Sequence, residues 1–159
     1  MDPTDKRILA VLQEDASLSV AEVAERANLT PTPCWRRIQR LERDGFIRRR
    51  VAILDKERLG LGITVFVAVR TNKHSSEWLS QFHRLVSSMP EVIDFVRLAG
   101  NIDYLIRVVV PDVQSYDAFY KRLIDKMEFY DVSSMFQMEE IKSTTSLPLT
   151  YNVPERRKG

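Results

Sequence analysis

The order of strand-like and helix-like segments in the second half of the chain constrains its fold most strongly. The strand-like runs are rich in Val, Ile, Phe and Thr, whereas the helical segments repeat apolar residues at helical spacing. The strand-like runs cover 63–71, 92–98, 104–110 and 132–141, and the helical patterns cover 75–89 and a stretch that begins at Asp112. This βαββαβ order predicts a ferredoxin-like α+β domain, in which a four-stranded antiparallel sheet carries both helices on one face.

The start of the chain predicts two short helices. Asp2 is a favourable N-cap residue and Pro3 suits the first helical position, so we expect a helix over about 3–14. Ser19 and Glu22 have the spacing of a capping box, in which each side chain accepts the backbone N–H of the other residue. A second helix is therefore expected to begin directly after Ser19.

A third helix is expected to begin at Thr30 or Thr32 and to end before Gly45. One narrow sector of this helix is apolar and holds Cys34, Ile38 and Leu41. Cys34 has two interpretations, a redox-sensitive thiol or a small core residue, and its sector favours the core. Trp35 is expected to pack rather than to stack on a base. The sector opposite Cys34 is polar and basic and holds Thr32, Arg36, Gln39, Arg40 and Arg43.

Charge is concentrated in and after this third helix. Residues 1–29 carry three basic and six acidic side chains, whereas residues 30–50 carry seven basic and two acidic ones. A basic third helix that follows a short turn is typical of a helix-turn-helix, in which the last helix enters the DNA major groove. A merely solvated helix face is the alternative, and the separation into two sectors favours DNA binding.

The run over 46–53 is β-prone with a basic centre, as expected of a wing that lies along DNA phosphates. Together with the third helix, this run gives a winged helix-turn-helix. The predicted DNA-binding residues are Thr32, Pro33, Arg36, Arg37, Gln39, Arg40, Arg43, Arg48, Arg49 and Arg50. The predicted partner is double-stranded DNA.

Composition excludes several classes of protein. The 159 residues are 44% apolar and 29% charged, which is typical of a globular chain rather than a disordered one. The longest charge-free apolar run, 59–69, is shorter than the roughly 20 residues of a membrane-spanning helix. The N-terminus has no signal-peptide pattern, so we expect a cytoplasmic, nucleoid-associated protein without membrane contact.

The sequence does not predict an enzyme or a metal site. One cysteine, with His74 and His83, leaves too few soft ligands for structural zinc. The chain contains no G-x-S-x-G, H-E-x-x-H or P-loop motif. We therefore expect no catalytic residues, no metal and no cofactor.

These patterns divide the chain into four parts. We expect a DNA-binding domain at 1–50, a linker at 51–62, a ferredoxin-like oligomerisation domain at 63–150 and a basic tail at 151–159. One face of the predicted sheet carries no helix, and an apolar face of this kind is commonly buried between copies of a chain. The sequence therefore predicts a homodimer built mainly by the second domain.

Three separated motifs carry a family resemblance. They are TPTPCWRRIQRLERDGFI over 30–47, AGNIDYLIRVVVPD over 99–112 and SSMFQMEEIKSTTSLPL over 133–149. In this order the motifs resemble the Lrp/AsnC family of bacterial and archaeal transcription regulators, and the likeness spans nearly the whole chain. The segments HSSEW, MPEV, YDAFYKRLI and IKSTTSLPL are most similar to a subgroup that contains a cysteine-responsive activator of cysteine desulfidase genes.

The resemblance implies an N-terminal DNA-binding domain, an effector domain at 63–150, and dimers that assemble into an octamer of four dimers. It also implies that a small amino acid binds between dimers, with cysteine as the first candidate. A family loop of Gly, Asp, x, Asp, Tyr corresponds here to 100–104, where Asn101 replaces the first acid. By this resemblance, Gly100 permits close approach of the ligand and Asp103 receives its ammonium group.

The effector-binding residues implied in this way are Leu98, Ala99, Gly100, Asn101, Asp103, Tyr104, Ser133 and Ser134. The two serines correspond to positions that line the effector cleft of the family. A simple hairpin turn, in which Asn and Asp serve as turn residues, is the alternative for 100–104.

The leading hypothesis is a sequence-specific DNA-binding transcriptional regulator whose DNA binding or assembly responds to a small amino acid. A DNA-architectural protein whose second domain only oligomerises is an alternative, and effector binding would distinguish the two. A small enzyme of amino-acid metabolism is a third hypothesis, for which the sequence offers no acid, base or nucleophile set.

Overall fold

A computed structural model describes residues 1–73 and 75–151 of the chain. It contains two compact units, Met1–Ile53 together with the segment that begins at Lys142, and Leu54–Ile141. The basic tail expected at 151–159 lies outside the described residues except for Tyr151, and His74 also lies outside them.

Three helices form the first unit, as the capping and apolar patterns predict. They are α1 (Pro3–Glu14), α2 (Val20–Arg26) and α3 (Pro31–Arg43). Both expected N-terminal caps are present, because the side chains of Asp2 and Ser19 accept N–H groups three residues on, at 2.8 and 3.3 Å. The apolar faces of the helices share one core, whose members include Ile8, Val23, Cys34, Ile38 and Leu41.

The segment after α3 does not form the expected strand. Gly45 ends the helix with a φ of +77°, and the N–H of Phe46 donates back to the carbonyl of Leu41 at 2.9 Å. In the described part of the chain, residues 46–53 pair with no strand. A β-prone run becomes a strand only beside another backbone that completes its hydrogen bonds, and the described residues of this unit form helices but no strand.

The second unit has the predicted βαββαβ order. Its elements are β1 (Ile63–Arg70), α4 (Ser76–Ser87), β2 (Val92–Arg97), β3 (Tyr104–Val110), α5 (Val113–Lys126) and β4 (Asp131–Phe136). The four strands form one antiparallel sheet in the order β2-β3-β1-β4, which confirms the ferredoxin-like topology.

The last strand is shorter than the run over 132–141 suggests. β4 pairs with β1 as far as Phe136, and the N–H of Gln137 then donates to the carbonyl of Thr64 at 2.9 Å. Because β1 begins at Ile63, the residues that follow Gln137 have almost no β1 backbone left to pair with. The strand therefore ends where its partner ends, although the β-prone composition continues.

The two faces of the sheet have different surroundings. Val65, Val67 and Val69 of β1 are fully buried and contribute to a core that includes Phe82 of α4 and Phe119 of α5. On the opposite face, Phe66 pairs in register with Arg107 and Met135, and Ala68 pairs with Leu105. This second face, here called the open face, consists of Phe66, Ala68, Asp94, Val96, Leu105, Arg107, Ser133 and Met135. Its edges remain exposed, with Val96 at 45% and Met135 at 49%.

Two further observations concern the described residues alone. None of their helices has the length and apolar content that crossing a membrane requires. Nowhere among them do three or more His, Cys, Asp or Glu side chains come together in a way that could hold a metal ion.

Candidate functional sites

The outer face of α3 is the first candidate site. The predicted apolar sector is confirmed, since Cys34, Ile38 and Leu41 are at most 2% exposed. The remaining side chains of α3 face outward or lie at the edge of the core. The exposed ones are Pro31, Thr32, Pro33, Trp35, Arg36, Gln39 and Arg43. Trp35 is 51% exposed, so it is not the packing residue that we expected.

Burial settles the interpretation of the cysteine. Cys34 has no exposed surface, and burial raises the pKa of its thiol because the charged thiolate loses its hydration. A reactive thiol requires the opposite conditions, exposure and a lowered pKa. Cys34 is therefore a core residue, as its position on α3 predicts.

Two of the predicted DNA-binding arginines are held by Asp2, the N-cap of α1, and by Asp5 in its first turn. The Nη1 atom of Arg37 donates to Asp2 at 2.6 Å and to Asp5 at 2.8 Å. The Nη2 atom of Arg40 lies 2.7 Å from each carboxylate oxygen of Asp5. The Arg37 guanidinium lowers the pKa of Asp2, and Asp2 in turn raises the pKa of Arg37. This arrangement, here called the Asp–Arg cluster, was not predicted from the charge pattern.

The other arginines of this surface differ in how they are paired. Arg50 donates to Glu42 at 3.0 Å, and Arg43 lies 3.4 Å from Asp44. Among the described residues, Arg36, Arg48 and Arg49 form no ion pair. These three are therefore the cations of the surface that remain most available to an anionic partner.

A segment from the end of the chain packs on α1 of the same unit. The Gln13 side chain donates to the carbonyl of Leu147 at 3.1 Å and accepts the Leu147 N–H at 3.0 Å. Lys6 donates to the carbonyl of Tyr151 at 3.2 Å. The amide of Gln13 thus satisfies both backbone groups of one residue, as a neighbouring strand would. The sequence patterns place residues 142–150 with the second domain, whereas the structure places the segment from Lys142 with the first unit, through contacts with α1 that have no local signal in the sequence.

A cavity beside the β2–β3 turn is the second candidate site. It has a volume of about 320 Å³ and is lined by Arg70, Thr71, Asn72, Gly100, Asn101, Asp103 and Tyr130. Three of the predicted effector residues, Gly100, Asn101 and Asp103, therefore lie together. Apart from its chain neighbours, no described atom lies within 4 Å of where a Cβ on Gly100 would be, so this side of the turn is open.

The remaining predicted effector residues do not line this cavity. Tyr104 is 4% exposed and packs in the core, with its ring 5.1 Å from that of Phe82, because alternate residues of β3 face the helices. Ser134 hydrogen-bonds Tyr116 of α5, whereas Ser133 belongs to the open face. Two adjacent strand residues point to opposite faces, so the two serines cannot serve one site within this chain. Leu98 and Ala99 are exposed on the turn.

Asp103 has a structural role as well as a place in the cavity. Its carboxylate accepts the backbone N–H of Thr71 at 2.8 Å, and its own N–H donates to the carbonyl of Val69 at 3.0 Å. These bonds hold the β2–β3 turn against the end of β1. One Asp103 oxygen, Oδ2, is thereby occupied, and Oδ1 accepts no hydrogen bond from the described residues.

Arg70 is the functional candidate that we missed in the sequence. Its guanidinium carbon lies 4.9 Å from the ring centre of Tyr130, a distance typical of a cation–π contact, and both residues line the cavity. An antiparallel register places the end of β1 beside the β2–β3 turn, since Val69 pairs with Tyr104. That register was the available signal, because it brings a cation at position 70 next to the acid at position 103.

Comparisons with known proteins cover both units. A family model described as a winged helix-turn-helix DNA-binding domain matches residues 1–48, and one described as the Lrp/AsnC ligand binding domain matches residues 64–147. The chain is 52% identical over 150 residues to the DNA-binding transcriptional activator DecR of Escherichia coli strain K12, across 94% of this chain and 99% of that protein.

Two solved structures extend the comparison. An AsnC family transcriptional regulator from Agrobacterium tumefaciens has a TM-score of 0.92 at 57% identity, covering 96% of this chain and 100% of its own. A transcriptional regulator from Neisseria meningitidis, solved as a complex with L-Met, has a TM-score of 0.90 at 37% identity, covering 94% and 97%. Because both family models match on the elements described above, the chain belongs to the Lrp/AsnC family of DNA-binding transcriptional regulators.

Proposed function

We propose that this chain controls transcription by binding DNA through α3 and the segment after it, in response to a small amino acid bound beside the β2–β3 turn. The observation that carries the effector part is the pairing of opposite charges in one small cavity. Arg70 and Asp103 both line a space of about 320 Å³. A free amino acid carries the complementary pair, an ammonium and a carboxylate.

The DNA-binding face divides into residues for base contacts and residues for phosphate contacts. Arg36 is exposed at the centre of α3, and Arg40 is half-exposed one helical turn further on. We assign these two arginines to the major groove, where a guanidinium can bind a guanine edge. Arg48 and Arg49 lie on the irregular segment after α3 and suit phosphates. The other proposed contacts are Thr32, Pro33, Arg37, Gln39, Arg43 and Arg50.

In the cavity, we assign the ligand ammonium to Asp103 and the ligand carboxylate to Arg70. Asp103 keeps Oδ1 for the ammonium while Oδ2 holds the N–H of Thr71. Gly100 leaves room for the ligand to approach the turn, and Asn101 can add a hydrogen bond. The cavity volume is at the small end of the range of ligand pockets, about 300–1,000 Å³, which favours an amino acid over a larger metabolite.

Cysteine is our first candidate for the effector, because the segments quoted above resemble a cysteine-responsive subgroup. Methionine is the natural competitor, since the related structure from Neisseria meningitidis is a complex with L-Met. The charged groups of the cavity would hold the part common to all amino acids. Selectivity for the side chain of the ligand therefore depends on groups other than this charged pair.

We propose that the open face of the sheet forms a homodimer and that four dimers assemble into an octamer. Phe66 and Leu105 on the two central strands, with Met135 on the edge strand β4, give this face an apolar surface that burial between two copies would stabilise. An effector bound between dimers would favour one assembly over another and so change the spacing of the DNA-binding units. Light scattering should give a dimer or a multiple of it, and Leu105→Glu should shift the mass towards the monomer.

A thermal-shift screen against the twenty amino acids tests the effector part. A ligand that binds only the folded state raises the melting temperature, by an amount that grows with ligand concentration. We expect cysteine to raise it and to change the affinity for a DNA duplex that the protein has selected from a random pool. If no amino acid at millimolar concentration shifts melting, the regulator has no amino-acid effector and acts as an architectural DNA-binding oligomer.

A further inference from the structure

Asp5 is an unusual residue for its position on α1. Within the described part of the chain, it is the only charged residue that is buried, with 1% of its surface exposed. Its Oδ1 accepts hydrogen bonds from Arg37 at 2.8 Å and Arg40 at 2.7 Å. Its Oδ2 accepts Arg40 at 2.7 Å and the backbone N–H of Asp2 at 3.0 Å. One carboxylate therefore contacts two arginines of α3 and completes the capping box of α1.

Helix packing alone does not require this arrangement. A buried carboxylate is costly unless it is paired, and well-packed apolar residues in place of a buried ion pair are often as stable. Asp5 contacts two cations, although one of them, Arg37, already pairs with Asp2. Both cations also belong to the helix whose outer face carries the proposed base contacts. The cluster thus joins the buried Asp5 carboxylate to Arg37 and Arg40, which lie at the edge of the proposed DNA-binding face.

The anchor limits how the two guanidiniums can move. The Nη2 group of Arg40 is held by both oxygens of Asp5, while 43% of the side chain remains exposed. The rest of its guanidinium, including Nε and Nη1, is then presented in one orientation. Arg37 is held by two acids and its side chain is 30% exposed. A planar guanidinium held in this way can discriminate between hydrogen-bond patterns with less loss of conformational entropy on binding.

The cluster also cancels charge. Arg37 and Arg40 face Asp2 and Asp5, so the four formal charges sum to zero. Arginines that are already paired displace few counterions when they meet a phosphate, so they add little to sequence-independent attraction. Arg36 makes no ion pair in the described residues, so no acid compensates its charge.

We propose that Asp5 is a positioning residue that determines the sequence specificity of DNA binding. It orients Arg40 towards a base edge and keeps Arg37 and Arg40 from acting as free cations on phosphates. This inference rests on the proposed function, because it requires α3 to be the helix that meets DNA. Asp5 itself does not contact DNA in this proposal, since it is buried.

The test compares two duplexes, one selected from a random pool by the wild-type protein and one of the same composition with its sequence shuffled. Asp5→Asn removes the charge and keeps an oxygen that can accept the Asp2 N–H. We expect the affinity for the selected duplex, divided by that for the shuffled duplex, to fall about tenfold. The variant loses a base contact on the selected duplex, and its released cation strengthens phosphate attraction on both duplexes. The salt slope on the shuffled duplex should steepen by roughly one unit, because Arg40 loses its only acid among the described residues while Asp2 still holds Arg37.

Glu14→Gln is the matched control. Glu14 also lies on α1, is exposed and has no ion pair among the described residues, so this variant makes the same change in net charge. It should leave the affinity ratio within about twofold of the wild type, since a distant surface charge changes affinity for both duplexes alike. Equal ratios for Asp5→Asn and Glu14→Gln would overturn the proposal and leave Asp5 with a structural role alone.

A second pair of variants covers the case in which Asp5→Asn does not fold. Arg36→Gln should lower the affinity for the selected duplex and also reduce the salt slope by about one unit, because no described acid pairs with the Arg36 charge. Arg40→Gln should instead lower the affinity ratio with little change in slope. A slope that falls equally in both variants would mean that Arg40 is a free cation and would overturn the proposal. If Arg36→Gln changes neither slope nor affinity, α3 is not on the DNA, and the proposed function of that face fails together with this inference.

Discussion

The two candidate sites are built in different ways. The proposed DNA-binding face lies mainly on one helix, α3, whose thirteen residues fix the spacing of every side chain. The cavity collects residues 70–72, Gly100, Asn101, Asp103 and Tyr130, which three separate parts of the chain supply. A face on one helix can be read from the period of the sequence, whereas a cavity between segments depends on strand register. The two sites also use acids differently. At the first site, Asp2 and Asp5 bind Arg37 and Arg40 of α3, whereas in the cavity Asp103 and Arg70 line the same space.

The largest effect should come from removing both arginines assigned to the major groove. Arg36→Ala with Arg40→Ala should weaken binding to the selected duplex by at least about thirtyfold, since each base contact contributes roughly 1–3 kcal/mol. Mobility shifts measure this loss. Arg84→Ala, an exposed arginine of α4 in the other unit, is the control. Wild-type affinity in the double variant would show that the helical period located the wrong face.

The cavity should respond to single charge removals. Arg70→Gln and Asp103→Asn should each weaken amino-acid binding by about tenfold or more, because each leaves one charged end of the ligand unpaired. DNA affinity without effector should change little in Arg70→Gln. Calorimetry with cysteine, methionine, alanine, serine, leucine and proline gives the affinities. Equal binding by both variants and the wild type would mean that the turn is only a hairpin.

Asp103→Asn requires a check on folding, because Asp103 also holds the N–H of Thr71. An asparagine oxygen can still accept that hydrogen bond, so the variant should keep the β2–β3 turn and lose only the charge. Thr71→Pro is the informative comparison. It removes the N–H and leaves the acid, and it should disturb the turn more than Asp103→Asn does.

The sequence predicts the parts of this molecule that depend on local patterns better than the parts that depend on contacts between distant segments. Asp2, Ser19 and Gly45 act on their own helix ends, so the bounds of α1 to α3 follow from local patterns. The strand expected over 46–53 and the full length of β4 are not found, because a strand depends on a partner backbone as well as on its own residues.

Long-range contacts account for the rest of what sequence patterns missed. Arg70 becomes a site residue only through the register of β1 with β3, and the Gln13–Leu147 contact joins residues far apart in the chain. Tyr104 comes directly after the turn that contains Gly100, and Ser134 corresponds to a position that lines the effector cleft of the family. Strand alternation nevertheless points both side chains towards the helices. In the sequence Asp5 is only an acid near the start of α1, and the packing of α1 on α3 shows its two arginines.

The segment after α3 should contribute to DNA affinity through charge alone. Arg48→Ala with Arg49→Ala should flatten the dependence of log K on log salt by about two units, since each lost phosphate contact removes roughly one. Arg50→Ala should have a smaller effect, because Arg50 is already paired with Glu42. Binding titrations at several salt concentrations measure these slopes. An unchanged slope in the double variant would confine the DNA interface to α3.

The smallest effect concerns Asp2, the outer acid of the Asp–Arg cluster. Arg37 lowers the pKa of Asp2 below its ordinary value of 3.8, so the folded state binds this proton less readily than the unfolded state does. The resulting stability is fully present above pH 3.8 and is lost as the pH falls through the lowered value. Asparagine is as good an N-cap residue as aspartate, so Asp2→Asn removes the ion pair and keeps the helix cap.

We therefore expect Asp2→Asn to melt slightly below the wild type at neutral pH, because the ion pair is half-exposed and such pairs contribute little. The difference should shrink as the pH falls below 3.8 and should vanish once Asp2 is protonated in the folded wild-type protein. Thermal unfolding by circular dichroism from pH 7 to pH 3 measures the difference. A constant difference across that range would mean that Arg37 does not stabilise the charge of Asp2, and the cluster would then depend on Asp5 alone.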